Sequence, residues 1–586
     1  MIRKVFKQMT VIQIMSAVTV TVCLLIDSIM IGRFLGVEAM SSYGLANPVI
    51  ILFTAMGTML SCGVQVQIGE AMGRGDVKAC SSVFSTSFMM SLIISAVWIA
   101  VVFLVSKPLC LLLAASDADH GQNVLTMTSE YLKGYIIGAP FFFLSQSMIP
   151  FLQAMGRRRL TVISVIAMTI SDIVFDFLSV FVFNGGMFGI GLASALSHLA
   201  ALLSGCWYFM KKDSLFRFSM EGVNAKMAAG ITYSGSPIIV NQACFMLRVY
   251  VINQMLLSVY GTLAVAVYSV VSTIGNIFFS VGLGAGAITL MLASIFHSEE
   301  DRSSLYELVH VMIQYSFRLI VGCVIIVELT APLLIRLFLG DDPEIHQIAV
   351  PGLRLYIISL IAVVLTTVFK NYYQGTGHML FTDLISVGDN VVFLLPPVII
   401  FGKLFGLTGI WNGIIFGQCL TLVFISVVVW VRYGRISFSA EAYSMLGPDF
   451  GADPSEVYEA AVTDIDAAIS ASEQIDGFCR SKGLENRLAN LVSLCVEEIV
   501  VNIIDHGFTK DELEHQADVR LVIDKGKCII RVRDNCIGFD PVNYLELHQS
   551  DDPSKHIGIR IVTSMVKDIN YINSLGLNNL YMSFDI

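Results

Sequence analysis

Long hydrophobic stretches recur along the first three quarters of the chain, and this feature constrains its fold more than any other. A helix needs about 20 apolar residues to cross the roughly 30 Å hydrocarbon core of a bilayer. With 586 residues, 55% of them hydrophobic and 14% charged, the chain is too apolar for one soluble domain. We therefore predict twelve membrane-spanning helices, near residues 10–32, 43–66, 85–106, 131–153, 160–183, 188–210, 230–258, 262–292, 308–332, 351–373, 380–402 and 408–431.

Basic residues collect on one side of the predicted spans. Lys and Arg are enriched in cytoplasmic loops, so we expect a multi-pass protein of the cell (inner) membrane with both termini in the cytoplasm. The net charge of −10 arises mainly in the last quarter and offers no basic face for nucleic acid. The basic residues that set this orientation are Arg3, Lys4, Lys7, Arg74, Lys78, Arg157, Arg158, Arg159, Lys211, Lys212, Arg217, Lys226, Arg302, Arg432 and Arg435.

The membrane part contains an internal repeat. Tyr135-Ile136-Ile137 with Gln153-Ala154-Met155-Gly156 recurs 221 positions later as Tyr356-Ile357-Ile358 with Gln374-Gly375-Thr376-Gly377. Such duplication is common among transporters. We predict an all-α membrane domain of two six-helix halves, residues 1–218 and 219–436, with a substrate cleft between them.

The hydrophobic character ends after Arg435, and residues 437–454 have the Gly and Pro content of a linker. Residues 455–586 are predicted to form a soluble α+β domain, an antiparallel sheet covered by helices on one face. Its expected elements are helices near 456–482, 485–506 and 557–567 and strands near 518–524, 527–533, 569–574 and 579–585. Turns are expected at Lys525-Gly526 and at Gly576-Leu577-Asn578.

Three carboxylates lie inside otherwise apolar predicted spans: Asp27, Asp172 and Asp176. An ionised group at the centre of a membrane helix costs about 2.5–3.5 kcal/mol, so such residues usually have a function. Asp172 and Asp176 are four residues apart and share a helix face, which makes them candidates for binding H⁺ or Na⁺. The structural alternative is that Asp27 faces lipid headgroups and that Asp172 lies near a helix end.

Other charges in the spans have less distinctive positions. Glu328, Lys370 and Asp383 are closer to span ends, and we interpret them as structural. Arg248 lies deep in the seventh span and needs a carboxylate partner, for which Asp389 is a candidate.

The membrane part carries the pattern Asp27-x4-Gly32-x3-Gly36, then Gly73-Arg74-Gly75-Asp76, then Asp172-x3-Asp176 ahead of Phe188-Gly189-Ile190-Gly191. Together these motifs resemble the multidrug and toxic compound extrusion (MATE) family over residues 1 to about 435. The resemblance implies that Asp27, Asp172 and Asp176 couple cation entry to export. Asp172 stands where the family usually has Asn. The second half has Asn253, Asp389 and Phe393 near the counterparts of these residues, so ion coupling is expected mainly in the first half.

The soluble domain carries three short motifs in a fixed order. They are Glu498-x3-Asn502-x3-His506-Gly507 on a helix, Asp534-Asn535-Cys536-Ile537-Gly538-Phe539 after a strand, and Gly558-Ile559-Arg560-Ile561 at a helix start. An amide oxygen suits Mg²⁺, and a carboxylate one turn earlier can act as a general base. A glycine permits close backbone approach, and a helix N-terminus offers amide donors to phosphate.

In this order the motifs resemble the GHKL (Bergerat-fold) ATPases, most closely the anti-sigma-factor serine kinases. The resemblance implies ATP and Mg²⁺ binding, with Glu498 as candidate base, Asn502 as magnesium ligand and Asp534 as adenine contact. Gly538 and Gly558 would complete the nucleotide site. Two positions depart from the family pattern, since Cys536 and His556 both stand where glycine is usual.

We therefore expect a cation-coupled (H⁺ or Na⁺) antiporter that exports small cationic or amphipathic compounds across the lipid bilayer. Its cytoplasmic ATP-binding domain would regulate transport or act as a serine/threonine kinase on a protein partner. The chain has no Gly-rich phosphate loop of the G-x4-G-K-[ST] kind, so ATP is not expected to drive transport. Two alternatives remain open: a membrane sensor that switches a kinase output, and a flippase for lipid-linked substrates.

Overall fold

The computed structural model describes residues 1–114, 122–209, 216, 218–339, 343–508, 514–524, 526–538, 540, 560, 562 and 566–586. The membrane part is built from fourteen α-helices within these residues, and two further helices belong to the soluble domain. Their bounds are α1 Ile2–Met30, α2 Val37–Gly73, α3 Val77–Ala114, α4 Gln122–Ile137, α5 Ala139–Ala154, α6 Arg158–Phe181, α7 Gly186–Phe209, α8 Ala225–Gly235, α9 Pro237–Ser298, α10 Arg302–Leu339, α11 Pro343–Gly375, α12 Met379–Val387, α13 Leu395–Tyr433, α14 Ala440–Ser444, α15 Ile465–Ser481 and α16 Asn486–Ile503. Five-residue π-helical turns lie at Ile31–Leu35, Gly388–Val392 and Ile504–Phe508, and short 3₁₀ turns at Met220–Gly222 and Pro454–Glu456.

The predicted membrane spans correspond to apolar helices. Ten helices of the described chain are long and apolar enough to cross a membrane, and the bent pair Asn123–Ile137 and Ala139–Ala154 adds an eleventh. The helical segment Met379–Tyr433 covers two predicted spans, because the chain turns at Gly406 with φ +68°. Dividing this segment at Gly406 gives the twelve spans expected from the sequence. The predicted all-α membrane domain is confirmed.

Backbone geometry reflects the duplication. Gly186 in the first half and Gly406 in the second each connect two spans with a positive φ, 55° and 68° respectively. This conformation is costly for residues with a Cβ atom. The two six-helix halves therefore repeat not only the hydrophobic pattern but also the turn that joins their last two spans.

The two halves pack tightly against each other at one end of the helix bundle. The second part of α2 lies so close to α8 and α9 that a Cβ on Gly63 would reach within 2.0 Å of the Ile231 carbonyl oxygen. A Cβ on Gly73 would likewise lie 2.4 Å from the Ile295 carbonyl oxygen. Small residues allow such close contact between membrane helices. The soluble domain lies at this same end, which we call the domain-bearing end.

The soluble domain contains a five-stranded antiparallel sheet in the order β1-β2-β3-β5-β4. The strands are β1 Val457–Val462, β2 Ala517–Asp524, β3 Lys527–Asp534, β4 Asp568–Ser574 and β5 Leu577–Asp585. One face of the sheet carries apolar residues such as Val519, Leu521, Ile530 and Val532, which pack with α15 and α16 in one hydrophobic core. The α+β sandwich predicted from the sequence is confirmed.

Three details of the soluble domain differ from the sequence prediction. Residues 457–462 form the edge strand β1 rather than the start of a helix, and α15 begins only after Asp464, whose side chain caps it. The turn between β4 and β5 is Leu575-Gly576, so that Leu577 and Asn578 already belong to β5. The predicted helix near 557–567 lies mostly outside the described residues.

Candidate functional site

A cavity of about 780 Å³ lies mainly in the first half and reaches α9 and α11 of the second. Asp27 from α1 and Asp172 from α6 line this cavity, and their exposed fractions are 4% and 5%. Asp27 therefore faces the protein interior, and the alternative that it faces lipid headgroups is wrong. The remaining polar wall comes from neutral groups, among them Tyr43, Asn47 and Gln153.

The third carboxylate, Asp176, is fully buried beside the other two. The charges of Asp172 and Asp176 both act on Asp27. The Asp176 carboxylate lies within hydrogen-bonding distance of the Asp27 carboxylate, but neither Asp176 oxygen faces a donor among the described residues, and one oxygen of Asp27 also lacks a donor. The other Asp27 oxygen lies 3.5 Å from the Ser194 hydroxyl, which donates to it. The structure thus brings together the three carboxylates that the sequence singled out.

A second, smaller cavity of about 100 Å³ lies within the second half. Lys370 and Asp389 form an ion pair in its wall, with 3.1 Å between Nζ and Oδ2. The sequence had suggested that Asp389 pairs with Arg248. The structure pairs Asp389 with Lys370 instead. Lys370 also donates to the Asn241 side-chain oxygen at 3.0 Å, so it is part of this cavity rather than a residue at a span end.

In the soluble domain, Asp534 ends β3 with its carboxylate buried at 4% exposure. The same Asp534 oxygen accepts from the Asn578 amide at 2.7 Å and from the Cys536 backbone N–H at 2.9 Å. Burial raises the pKa of Asp534, and the Asn578 and Cys536 hydrogen bonds oppose that rise. A buried carboxylate at this position can accept a hydrogen bond from an exocyclic amine.

The first two nucleotide motifs meet in space. A Cβ on Gly507, in the π-helical turn that follows α16, would lie 2.9 Å from the Cys536 sulfur. Asn502 donates its side-chain N–H to the Glu498 carbonyl oxygen at 2.6 Å, which leaves the Asn502 side-chain oxygen as a possible cation ligand. The α16 motif and the loop after β3 therefore lie side by side.

The glycines of the predicted nucleotide site are described only in part. A Cβ on Gly538 would meet the Tyr571 hydroxyl at 3.2 Å, so the loop after β3 lies close to β4. Gly558 and the neighbouring His556 lie outside the described residues. The helix start after Gly558, which was predicted to offer its amides to the phosphates, therefore lies outside the described residues.

The other face of the sheet docks on the membrane part. Arg520 of β2, Arg531 and Arg533 of β3 and Tyr581 of β5 form this docking surface. Arg531 pairs with Glu299 and, at 2.6 Å, with Asp301. Both acids belong to the loop between α9 and α10.

The remaining members of the docking surface bind the same acidic loop. Arg533 pairs with Glu299 at 2.7 Å, Arg520 pairs with Asp301, and the Tyr581 hydroxyl donates to Glu299 at 2.8 Å. Burial alone would raise the pKa of Asp301, but Arg531, Arg520 and Arg533 together hold it well below its usual range. Asp301 is therefore ionised, and the loop is bound by a network of charges rather than by one ion pair.

The soluble domain also contacts the first half. The Leu575 N–H, in the β4–β5 turn, donates to the Ala154 carbonyl oxygen at 2.5 Å. A Cβ on Gly156 would lie 2.1 Å from the Gly576 nitrogen. Because Glu299 and Asp301 belong to the second half, the domain bridges both halves at the domain-bearing end.

The sequence interpretation missed this docking surface. Its signal was present as Arg531-Val532-Arg533, in which charged and apolar residues alternate along a predicted strand. Such alternation places the two arginines on one face of the sheet, opposite the core.

Comparison with known protein families gives two matches. The profile of the MatE family matches residues 13–178 and 237–398. The profile of the histidine kinase-like ATPase domain matches residues 460–584. The two matches fall on the membrane part and on the soluble domain, respectively.

Among curated proteins, the chain is similar to multidrug export proteins named MepA. It is 24% identical over 409 residues to MepA of Staphylococcus saprophyticus, an alignment that covers 69% of this chain and 88% of that protein. It is 25% identical over 401 residues to MepA of a bovine strain of Staphylococcus aureus, covering 68% and 86%.

Solved structures show the same membrane fold. An outward-facing multidrug resistance transporter of the MATE family and MOP superfamily matches with a TM-score of 0.67 and 19% identity, covering 72% of this chain and 94% of that one. A variant of the Vibrio cholerae MATE transporter VcmN matches with a TM-score of 0.67 and 18% identity, over the same shares.

Proposed function

The chain is a member of the MATE family of multidrug efflux transporters with a C-terminal histidine kinase-like ATPase domain, and we propose that it exports small cationic or amphipathic compounds in exchange for H⁺ or Na⁺. The observation that carries the proposal is the cavity that Asp27 and Asp172 line, with Asp176 buried beside them. The negative charges of these carboxylates can neutralise either a cationic substrate or a coupling cation. The two cations therefore compete for the same site.

Burial of Asp176 favours the proton as coupling ion. An ionised carboxylate that faces another carboxylate and no donor is very costly away from water. Protonation of Asp176 removes that cost and supplies a hydrogen that Asp176 and Asp27 can share.

We further propose that the ATPase domain lies in the cytoplasm and regulates transport. A carrier of two halves exposes its site to alternate sides when the halves rock against each other. The docking surface holds Glu299 and Asp301 of the second half, while Leu575 holds Ala154 of the first. A domain bound to both halves at the end where they meet stabilises the state in which this end is closed.

Strand β3 connects the predicted nucleotide site with the docking surface. Arg533, which binds Glu299, is followed directly by Asp534, the candidate adenine contact, and successive residues of a strand point to opposite faces. A nucleotide on the helix-covered face would thus act on the strand that holds the acidic loop. ATP binding would shift the docking equilibrium to the extent that it favours one position of β3.

Transport in proteoliposomes tests the central proposal. The purified chain is given an imposed proton or sodium gradient, and the movement of a fluorescent lipophilic cation, ethidium, is followed with and without ATP. Asp176→Asn should still insert, because a membrane carboxylate is removed, yet should lose gradient-driven transport. Asp383→Asn serves as control, since Asp383 lies in a second-half span and lines neither cavity. Equal transport by Asp176→Asn and the unmodified chain would overturn the coupling role.

The docked arrangement also favours a second function, in which transport state controls the ATPase domain. Coupling between two binding sites is reciprocal, so a domain that senses nucleotide and biases transport must itself respond to substrate. Measuring ATP affinity with and without ethidium, in the absence of any gradient, distinguishes the transporter from the sensor. A change in affinity without measurable transport would indicate a sensor.

A further inference from the structure

The small cavity of the second half has an unusual charge balance for a site within the membrane. Its charged lining residues are Arg248, Lys370 and Asp389. Lys370 and Asp389 neutralise each other at 3.1 Å. Arg248 therefore leaves the cavity with one positive charge in excess.

Arg248 lacks a partner for part of its guanidinium. Its Nε is buried and has no hydrogen-bond partner among the described residues. The guanidinium carbon lies 4.8 Å above the ring centre of Phe245, which also lines the cavity. A cation–π contact of this kind supplies only about 0.5–2 kcal/mol, less than the cost of about 2.5–3.5 kcal/mol for a charge at the centre of a membrane helix. The group that best offsets the difference is an anion.

The cavity walls indicate what kind of anion fits. Phe245, Tyr268, Phe279 and Tyr356 supply aromatic surface. The volume of about 100 Å³ is smaller than the roughly 150 Å³ of a cavity that encloses benzene, so the cavity receives a carboxylate and the edge of the ring that carries it. Arginine binds carboxylates bidentately through two parallel N–H groups. We propose that this cavity binds the carboxylate of an aromatic compound, with Arg248 as its anion-binding residue.

The two cavities of the protein thus differ in charge. The first-half cavity is lined by carboxylates, and the second-half cavity carries the excess positive charge of Arg248; Asn276 lines both, so they adjoin. That a bound aromatic carboxylate is also transported rests on the proposed export function. Binding itself is measurable without any gradient, so failure of binding and failure of export are separate results.

The fluorescence of Trp411 reports on this cavity through two of the residues that line it. The Trp411 ring stacks on Tyr268 with 5.8 Å between centroids and meets Tyr356 edge-on at 6.1 Å. The experiment titrates the purified full chain with benzoate and follows tryptophan fluorescence. Benzamide and benzylamine, which have similar shapes but are neutral and cationic, serve as matched probes, and Trp411→Phe identifies the signal. A saturable change with benzoate that benzamide and benzylamine do not produce is expected, and it should disappear in Trp411→Phe.

Variants then test whether Arg248 binds the carboxylate. Arg248→Gln should weaken benzoate binding at least about tenfold, and Arg248→Lys should keep part of it. Arg318→Gln, on the exposed surface of α10 in the same half, should bind as the unmodified chain does. Benzamide binding as tightly as benzoate to the unmodified chain would overturn the proposal without any variant. Unchanged benzoate binding in Arg248→Gln would overturn it as well.

Discussion

Replacing Asp301 by Asn should release the soluble domain from the membrane part while leaving both folded. Asp301 is fully buried, binds Arg520 and Arg531, and accepts from the Ser304 backbone N–H at 3.0 Å at the start of α10. Asn is as good an N-cap as Asp, so the substitution keeps the cap and removes only the charge.

The size of the effect follows from the network. Removing one partner of a buried ion pair costs about 3–5 kcal/mol, because the other charge is left uncompensated. Arg531 keeps Glu299 as a partner, so the lower end applies. At about 1.4 kcal/mol per factor of ten, docking should weaken roughly 150-fold.

The Leu575 amide offers a direct assay, since its hydrogen bond to Ala154 crosses the interface. Hydrogen–deuterium exchange of a short peptide around Leu575 should speed up by about the same factor as docking weakens. The amides where β2 pairs with β3 in the middle of the sheet, around Val519 and Val532, report unfolding of the domain itself, and their exchange should not change.

A matched control variant shows whether the loss of any other acidic side chain also speeds exchange at Leu575. Glu307 on α10 is 40% exposed and lies 4.0 Å from Arg3, and exposed ion pairs contribute at most about 1 kcal/mol. Glu307→Gln should leave Leu575 exchange nearly unchanged. The reasoning fails if Leu575 stays protected in Asp301→Asn, or if Glu307→Gln accelerates its exchange equally.

The remaining predictions concern pH and nucleotide. Because the three arginines depress the pKa of Asp301, its contribution to docking is complete above the ordinary Asp pKa of about 4 and is lost only as pH falls through the lower docked value. Intrinsic-rate-corrected exchange at Leu575 should therefore be flat between about pH 5 and 8, and a loss of protection within that range would contradict it. In calorimetry on the full chain with Mg²⁺, Asp534→Ala should weaken ATP binding by about 1.5–3 kcal/mol, the usual value of a charged hydrogen bond; an unchanged affinity would exclude Asp534 as the adenine contact. Glu498→Ala should bind ATP normally but lose any phosphate transfer, because a general base acts on the reacting hydroxyl, and retained transfer would remove it from that role.

The membrane fold was predictable because length and hydropathy nearly determine a spanning helix. Strand β1 was not, since Glu459, Ala460 and Ala461 favour helix locally. Pairing with β2, as in Val457 with Val522, decides the matter, and that contact is distant in sequence. The edge position of β1 explains why its own alternation of apolar residues is weak.

The candidate sites show the same division between local and distant information. Asp172 and Asp176 lie four residues apart, so helical spacing alone places them on one face. Arg248 lies on α9 and Lys370 on α11, and the packing of the helices decides which of them reaches Asp389. The structure places Lys370 beside it. The docking of Arg531 on Glu299 joins residues more than 200 positions apart, which no local pattern specifies.

The linker between the membrane part and the ATPase domain has a consequence for how such a regulator behaves in a cell. The segment is about twenty residues long and is itself packed on the membrane part, where α14 lies against α10 and α13 and Arg302 donates to the carbonyl oxygens of Gly447, Pro448 and Phe450. The domain is therefore held close to its docking loop at a high effective concentration. Docking is therefore a unimolecular step, and the docked fraction does not depend on how much protein the cell makes. Each carrier has its own ATPase domain in a fixed ratio of one to one, and under the proposed regulation the docked fraction would respond to ligands and not to gene expression.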